Sequence, residues 1–192
     1  NSAHILTVSE YSKREIAETF GIATERITVT YEGTSLPVAT PSETSTAREL
    51  FRLTRPYFIA VGVLEPKKNI EQLCRGFALL CKKFGTSHDL VIVGNTDKHH
   101  PGIRLSALGQ SRRDRTVFTG YATDAQLSAL YGGATAYVSA STNEGFGLPG
   151  VEAMAAGLPL VVANTPVYNE IYDDGAVYFD ASSVQDIAEK LE

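Results

Sequence analysis

The sequence predicts an α/β fold in which a doubly wound parallel sheet carries helices on both faces. Short apolar runs, each long enough for one buried strand, alternate along most of the chain with segments whose apolar residues recur at helical spacing. Several runs end directly in glycine, as is common where a strand turns into a helix. Strands that alternate with helices form parallel sheets. The 192 residues, 43% of them hydrophobic, suffice for one such domain with a buried core.

Composition excludes several classes of function. The 17 basic residues are outnumbered by 22 acidic ones, giving a net charge of −5, so we expect no broad basic surface and no nucleic-acid partner. No apolar run approaches the length of a membrane span. Cys74 and Cys81 lie on one predicted helix, about 10 Å from each other, which is too far for a disulfide. Reduced thiols are typical of a cytoplasmic protein.

The opening of the chain predicts two strands and a helix. The apolar runs at 4–8 and 27–31 are the strands, and Ser-Lys-Arg-Glu at 12–15 matches a capping box for a helix that Gly21 ends. The Ser-, Thr- and Pro-rich stretch at 39–46 predicts a loop or linker.

From residue 57 onward, strands and helices alternate regularly. The predicted strands are 58–62, 90–94, 117–120, 136–140, 158–163 and 177–179. The predicted helices run from Asn69 to about Phe84, around 103–108, from Thr123 through Tyr131, over 153–156, and from Ser182 or Ser183. The helix at 69–84 is amphipathic, and a loop is expected from 163 to Glu170.

The turn at 144–152, Glu-Gly-Phe-Gly-Leu-Pro-Gly-Val-Glu, organises the predicted site. It joins a strand to a helix at the carboxyl end of the sheet, where ligands of α/β folds bind. Gly145 and Gly147 carry no Cβ and let backbone approach a ligand closely. Three N–H groups at the helix start, together with the helix dipole, suit a phosphate or diphosphate. They belong to Leu148, Gly150 and Val151. Carboxylates on both sides of an anion site favour flanking hydroxyl groups, which is the layout of a nucleotide sugar.

Two other interpretations stay open from the residues alone. Gly145, Gly147 and Gly150 match G-x-G-x-x-G, the fingerprint of an NAD-dependent oxidoreductase, with Glu170 about 20 residues further on. Against it, the pattern lies deep in the chain rather than in the first strand–helix unit. Alternatively the turn is purely structural, with one glutamate as a helix cap and the other in solvent.

The stretch at 139–162 carries a family resemblance. It reads Ser-Ala-Ser-Thr-Asn-Glu-Gly-Phe-Gly-Leu-Pro-Gly-Val-Glu-Ala-Met-Ala-Ala-Gly-Leu-Pro-Leu-Val-Val. This resembles the signature of the large retaining glycosyltransferase family of GT-B fold, which includes many bacterial mannosyl- and glucosyltransferases. The family's E-x7-E spacing is present as Glu144 and Glu152. The resemblance extends over most of the chain.

The resemblance implies that the chain is the Rossmann-like C-terminal half of a GT-B enzyme. Residues 34–192 would form the nucleotide-sugar-binding domain, and residues 1–33 the tail of the N-terminal, acceptor-binding domain. The chain starts without Met and stops in a predicted helix, so we expect further sequence on both sides. Without their parent domain, the strands within 1–33 are expected to be disordered or to pair with another copy.

The turn at 62–69, Gly-Val-Leu-Glu-Pro-Lys-Lys-Asn, resembles the family's G-x-L-x-P-x-K-N loop. Lys68 falls on the phosphate-contacting lysine, where a cation neutralises charge that develops on a diphosphate leaving group. Two solvated lysines in a surface loop are the alternative. Many family members place Arg directly after the glycine, but this chain has Val63. Lys67 and Arg104 are the candidates to replace it.

By resemblance, Glu144 accepts hydrogen bonds from the donor sugar, Glu152 holds the ribose, and neither is a covalent nucleophile. Backbone N–H groups of the turn face the sugar and the diphosphate. Loops after two further strands lie near the base, where Tyr121 either packs beside it or belongs to the core. The implied catalytic residues are Glu144 and Lys68. The implied donor-binding residues are Gly62, Lys68, Gly94, Phe118, Gly120, Glu144, Phe146, Gly147, Leu148 and Glu152.

The implied activity is transfer of a hexose from GDP-mannose or a UDP-sugar to an acceptor, with retention of anomeric configuration and with mannosyl transfer favoured. No cofactor and no metal ion are expected, because the family relies on the helix dipole and basic side chains. The acceptor, a glycan or lipid-linked sugar of polysaccharide biosynthesis, would bind through the missing N-terminal domain. Peripheral membrane association is expected of the full-length protein. The second interpretation is a nucleotide-binding module that transfers nothing by itself.

Two further features receive structural interpretations. Asp-Lys-His-His at 97–100 predicts a polar loop rather than a metal site, because adjacent histidines usually point apart and no third ligand has helical or strand spacing. Glu170 is expected to cap a helix or to accept hydrogen bonds from backbone N–H groups.

Overall fold

The computed structural model describes residues 2–95 and 115–192. The predictions for 97–100, for Arg104 and for a helix at 103–108 lie outside these ranges. The strands are β1 (Ile5–Thr7), β2 (Ile27–Val29), β3 (Tyr57–Val61), β4 (Asp89–Val93), β5 (Thr116–Gly120), β6 (Ala136–Ser139), β7 (Leu160–Ala163) and β8 (Ala176–Phe179). The α-helices are α1 (Glu10–Phe20), α2 (Pro41–Leu50), α3 (Ile70–Lys83), α4 (Asp124–Gly133), α5 (Leu148–Ala155), α6 (Pro166–Tyr172) and α7 (Val184–Leu191).

Six strands form one parallel sheet in the order β5-β4-β3-β6-β7-β8. Successive side chains of a strand point to opposite faces, and here they divide the core into two clusters. One cluster packs against α3 and α7, and the other packs against α2, α4, α5 and α6. The predicted doubly wound parallel sheet is confirmed.

Helix α3 shows how closely one face of the sheet is covered. Its predicted apolar side is buried at Ile70, Leu73, Phe77 and Leu80. Each such side chain contributes about 1.5–3 kcal/mol when it leaves water. A Cβ at Gly76 would lie 2.3 Å from Cγ2 of Ile187 in α7, so glycine is what lets these two helices approach. Cys74 and Cys81 also lie on α3 and are not joined by a disulfide.

Two stretches predicted as loops are helical, and both of those predictions were wrong. In the stretch 39–46, Thr40 and Glu43 form a capping box that starts α2. In the stretch 163–170, the Thr165 side chain accepts a hydrogen bond from Tyr168 N and so caps α6. Each cap is followed by proline, whose missing N–H costs nothing in the first turn of a helix. Proline therefore marks a helix start at both places.

The cap of α1 lies three residues earlier than predicted. The Ser9 hydroxyl accepts a hydrogen bond from Ser12 N, so the helix begins at Glu10 and the predicted capping box at 12–15 was wrong. Its end is as expected, because Gly21 adopts a left-handed conformation with φ of 62°. Such a residue ends a helix without steric cost only when it is glycine.

The N-terminal segment forms a separate small layer. Strands β1 and β2 pair with each other in parallel, so they are neither disordered nor without a partner strand. Helix α1 between them has no fully buried residue, and Leu6 and Phe20 are largely exposed. The domain boundary at residue 33 stays a prediction. Within the described ranges, no helix is both long and apolar enough to cross a bilayer.

The centre of the sheet is where the strand order reverses. Strands β3 and β6 are neighbours, with β4 and β5 continuing on one side and β7 and β8 on the other. In open α/β sheets, ligands bind in the crevice beyond the carboxyl ends of the strands at such a point. The turn at 62–69 follows β3 and the turn at 144–152 follows β6. The fold thus brings both predicted site turns to one place.

Candidate functional site

The two turns are joined directly, both through backbone and through an ion pair. The carbonyl of Lys67 accepts hydrogen bonds from Thr142 N at 2.8 Å and from its Oγ1 at 3.3 Å. Lys68 Nζ lies 2.5 Å from Glu144 Oε1, and the two side chains are only 14% and 13% exposed. The implied phosphate cation and the implied sugar acid therefore meet at the centre of the sheet edge.

The position of Lys68 follows from its own turn. Pro66–Lys68 is one turn of 3-10 helix, and Asn69 reverses direction with φ of 52° before α3 begins. The Asn69 amide donates to the carbonyl of Ala181 at 3.0 Å, which ties the turn to the segment before α7. A Cβ at Gly62, where φ is 147°, would lie 3.0 Å from Lys68 Cε. Glycine at 62 thus makes room for the lysine stem.

Three implied donor-binding glycines lie side by side at the ends of β3, β4 and β5. Gly94 N donates to the carbonyl of Gly120 at 2.9 Å, and a Cβ at Gly94 would lie 2.0 Å from the carbonyl oxygen of Gly62. Phe118 is different, because its side chain packs against the core. Tyr121 is 72% exposed, so the interpretation of it as a core residue was wrong.

Two glycines of the second turn leave room for a tyrosine side chain. A Cβ at Gly147 or at Gly150 would lie 2.3 Å or 2.2 Å from the hydroxyl oxygen of Tyr172 in α6. That hydroxyl donates to the carbonyl of Gly147 at 2.6 Å. Gly150 N and Val151 N also donate to this carbonyl, at 2.9 Å and 3.4 Å. The expectation that these two N–H groups face a ligand was therefore wrong. Phe146, Gly147 and Leu148 supply the candidate N–H donors.

Glu144 lies against buried tyrosine hydroxyls. The Tyr168 hydroxyl is 2.8 Å from Ser139 Oγ. Burial, with the nearby Glu144 charge as the second cause, raises the pKa of Tyr168 to about 12. Burial likewise raises the pKa of Tyr172. Both phenols therefore stay neutral near pH 7, and the Glu144 charge is balanced by Lys68.

Glu152 lies at the far end of the turn, on the opening of a cavity. Its Oε2 accepts a hydrogen bond from the Tyr131 hydroxyl at 3.1 Å. Burial raises the pKa of Glu152, the Tyr131 hydrogen bond acts against this, and the Asp124 charge adds to it. The cavity is about 180 Å³ and is lined by Gly33, Thr34, Ser35, Leu36, Pro37, Asp124, Leu148 and Glu152. The sequence analysis did not name Asp124 as a site residue, although its position just after β5 places it at the same sheet edge.

Among the residues of this loop, Lys67 stays the candidate to replace the missing arginine. Val63, which stands where many family members have arginine, is half exposed. The Lys67 ammonium lies 3.5 Å from the Glu65 carboxylate, so this candidate is already paired with an acid. The other candidate, Arg104, lies outside the described residues. Among the described residues, no three His, Cys, Asp or Glu side chains gather as a metal site would require.

Glu170 has the structural role that was expected. Its two carboxylate oxygens accept hydrogen bonds from Glu10 N at 2.6 Å and Tyr11 N at 2.8 Å, in the first turn of α1. The prediction that it accepts from backbone N–H groups is confirmed. It does not stand at the end of the strand that follows the G-x-G-x-x-G pattern, where a dinucleotide-binding acid belongs.

Comparison with known proteins identifies the family. The model of the family described as glycosyl transferases group 1 matches residues 41–192. The chain belongs to this family. Two curated relatives are the O-antigen chain mannosyltransferase RfbU of Salmonella typhimurium, 31% identical over 91% of this chain, and O-antigen chain mannosyltransferase B of Escherichia coli, 30% identical over 96%. This chain spans 46% and 49% of their lengths, so it matches about half of each.

Solved structures agree with the fold. Anabaena HepE, crystallised in complex with UDP and glucose, superposes with a TM-score of 0.83 at 21% identity, covering 98% of this chain and 52% of HepE. WaaG, a glycosyltransferase of lipopolysaccharide biosynthesis, superposes with a TM-score of 0.79 at 18% identity, covering 97% of this chain and 52% of WaaG. At these identities the likeness shows the fold alone. That fold is the Rossmann-like half of a GT-B glycosyltransferase.

Proposed function

We propose that this chain is the donor-binding half of a retaining glycosyltransferase that moves a hexose from a nucleotide sugar to an acceptor. The observation that carries the proposal is the contact of Lys68 with Glu144 at the reversal of strand order, with Glu152 on the other side of the same helix start. A cation beside one carboxylate, with a second carboxylate in the helix that follows, suits a charged diphosphate flanked by two hydroxyl-bearing sugars.

Each group then has a separate task. Lys68 neutralises the diphosphate as it leaves, because developing negative charge is best stabilised by a fixed cation in a partly dry site. Glu144 accepts hydrogen bonds from the sugar hydroxyls, and Glu152 accepts from the ribose. The N–H groups of Phe146, Gly147 and Leu148 face the sugar and the phosphates. No cofactor and no metal ion take part in this proposal.

Mannose on GDP is the favoured donor. Both curated relatives quoted above are mannosyltransferases by name, whereas HepE was crystallised with UDP, which keeps a UDP-sugar as the alternative. Retention is proposed with attack on the sugar from the face that the nucleotide leaves, and Glu144, which is paired with Lys68, is not assigned as a covalent nucleophile. The acceptor, a glycan or lipid-linked sugar, binds to the other half of a cytoplasmic, peripherally membrane-associated enzyme. The isolated chain binds donor but transfers nothing.

A thermal-shift panel tests the proposal. GDP-mannose, UDP-glucose, GDP, UDP and NAD are each added to the chain, and at least one nucleotide sugar should raise the melting temperature. Lys68→Met should reduce the shift strongly, whereas Lys67→Met, which removes a neighbouring lysine paired with Glu65, should reduce it less. Stabilisation by NAD together with none by any nucleoside diphosphate or nucleotide sugar would favour the oxidoreductase instead.

A further inference from the structure

One carboxylate, that of Glu170, accepts three hydrogen bonds from the N-terminal segment. Besides the two N–H groups of Glu10 and Tyr11, Glu170 accepts a hydrogen bond from the Tyr31 hydroxyl at 3.1 Å. The two N–H groups lie in the first turn of α1, where the helix dipole places partial positive charge. Glu170 therefore holds both the start of α1 and Tyr31, which lies two residues after the end of β2.

The start of α1 is itself hydrogen-bonded to the turn at 144–152. Ser9 Oγ donates to the carbonyl of Gly145 at 2.7 Å, and Ser12 Oγ donates to the same oxygen at 3.0 Å. This carbonyl shares a peptide plane with the N–H of Phe146, and in a trans peptide the two point in opposite directions. Two donors that fix the carbonyl therefore also fix the direction of the Phe146 N–H.

A second contact from the same segment reaches the same residue. The ring of Tyr31 lies 6.2 Å from the ring of Phe146, centroid to centroid, at an angle of 43°. Phe146 is only 6% exposed, so its ring cannot turn away without unpacking. The start of α1 and Tyr31, both of which are hydrogen-bonded to Glu170, thus both act on Phe146.

We propose that Glu170 is a positioning residue for donor binding, because by seating α1 and Tyr31 on the turn it aims the Phe146 N–H at the donor sugar. This inference rests on the proposed function. The role requires a carboxylate, since three donors converge on it. A carboxamide has one accepting oxygen, and its NH2 group would face an N–H donor.

Calorimetry with a nucleotide sugar and its nucleoside diphosphate separates positioning from stability. GDP-mannose with GDP are the probes, or UDP-glucose with UDP if the thermal-shift panel selects uridine. In Glu170→Gln, the Kd of the nucleotide sugar should rise by up to about tenfold and that of the nucleoside diphosphate by less than about twofold, the size expected for losing one hydrogen bond to the sugar. The Phe146 amide signal in a 1H–15N spectrum should move, while amide signals of α3 should not.

Two matched variants sharpen the test. Tyr31→Phe keeps the ring and removes the hydroxyl, so it should give a smaller loss in the same direction. Glu18→Gln, at an exposed acid on α1, should change neither Kd. If Glu170→Gln does not fold, Ser12→Ala removes one of the two donors to Gly145 and carries the same expectation.

The outcomes are distinguishable. Equal weakening of both ligands, or an unmoved Phe146 amide, would mean that Glu170 only stabilises the fold and would overturn the inference while leaving the proposed function intact. A wild-type chain that binds neither probe of either pair would overturn both.

Discussion

The Lys68–Glu144 pair predicts an exchange of partners when a donor binds. Without ligand, the two side chains neutralise each other at 2.5 Å. A nucleoside diphosphate attracts the ammonium and leaves the carboxylate behind, whereas a nucleotide sugar also supplies hydroxyl groups to that carboxylate. The site should therefore favour the sugar-bearing donor over the diphosphate product. Sequence reasoning treated the two side chains as independent, and the contact between them changes that expectation.

The size of the effect follows from burial. Removing one partner from a fully buried pair costs about 3–5 kcal/mol. With Glu144 13% exposed and the ammonium still nearby, we expect about 1–2 kcal/mol, the usual cost of leaving a polar group unpaired. Glutamine carries no charge, so Glu144→Gln should remove this cost. Since about 1.4 kcal/mol corresponds to tenfold, the nucleoside diphosphate should bind about tenfold more tightly to the variant. The nucleotide sugar should bind more weakly, because an amide accepts less strongly from hydroxyl groups.

A double-mutant cycle measured by calorimetry tests this reasoning. In a Lys68→Met background, Glu144→Gln should no longer strengthen nucleoside diphosphate binding, because no ammonium remains to be exchanged. Glu65→Gln is the control, since it removes an acid paired with Lys67 in the same turn. An unchanged nucleoside diphosphate affinity in Glu144→Gln, with wild-type binding intact, would refute the exchange.

Three further predictions concern pH and packing. The raised pKa of Glu152 means that the folded protein binds this proton more tightly than the unfolded chain does. The stability that Glu152 contributes is therefore present below its ordinary pKa of 4.5 and is lost as pH rises through its pKa in the folded protein. Melting curves of wild type and Glu152→Gln between about pH 4 and 7 should converge at low pH. Gly150→Ala should lower the free energy of unfolding by about 2 kcal/mol in urea titrations, because its methyl group meets the Tyr172 hydroxyl, and a second change, Tyr172→Phe, should recover part of the loss. Gly76→Ala should cost about 1–3 kcal/mol, with Ile187→Ala beside it relieving the clash; an additive loss in the double variant would contradict this packing.

The parts of the fold that could be predicted were those with strong local signals. Buried strands such as β3 and β4 are continuous apolar runs bounded by glycine, and α3 carries a full amphipathic pattern. Helices α2 and α6 were missed because their sequences are short and rich in residues that favour loops. Their capping residues and prolines were taken as loop formers, although in these positions they start helices.

The site could be predicted in its location but not in its contacts. The residues that follow strands meet at one sheet edge, and this is a property of topology. What a sequence does not contain is which distant side chain fills the space beside a glycine. Gly150 looks like a ligand-facing position until the Tyr172 hydroxyl is found against it. The same holds for Lys68, whose acidic partner is 76 residues away along the chain.

Where Gly62, Gly94 and Gly120 lie side by side, the surface at this edge of the sheet consists of main-chain atoms alone. Substituting Gly94 would push a methyl group into the neighbouring carbonyl, so side-chain chemistry cannot be introduced there. A ligand bound on this surface would contact peptide N–H and C=O groups, whose arrangement does not vary with sequence. In the proposed function, preference among nucleobases would then depend on the rim, where Tyr121 is exposed and the side chain of Asn95 accepts a hydrogen bond from Tyr121 N.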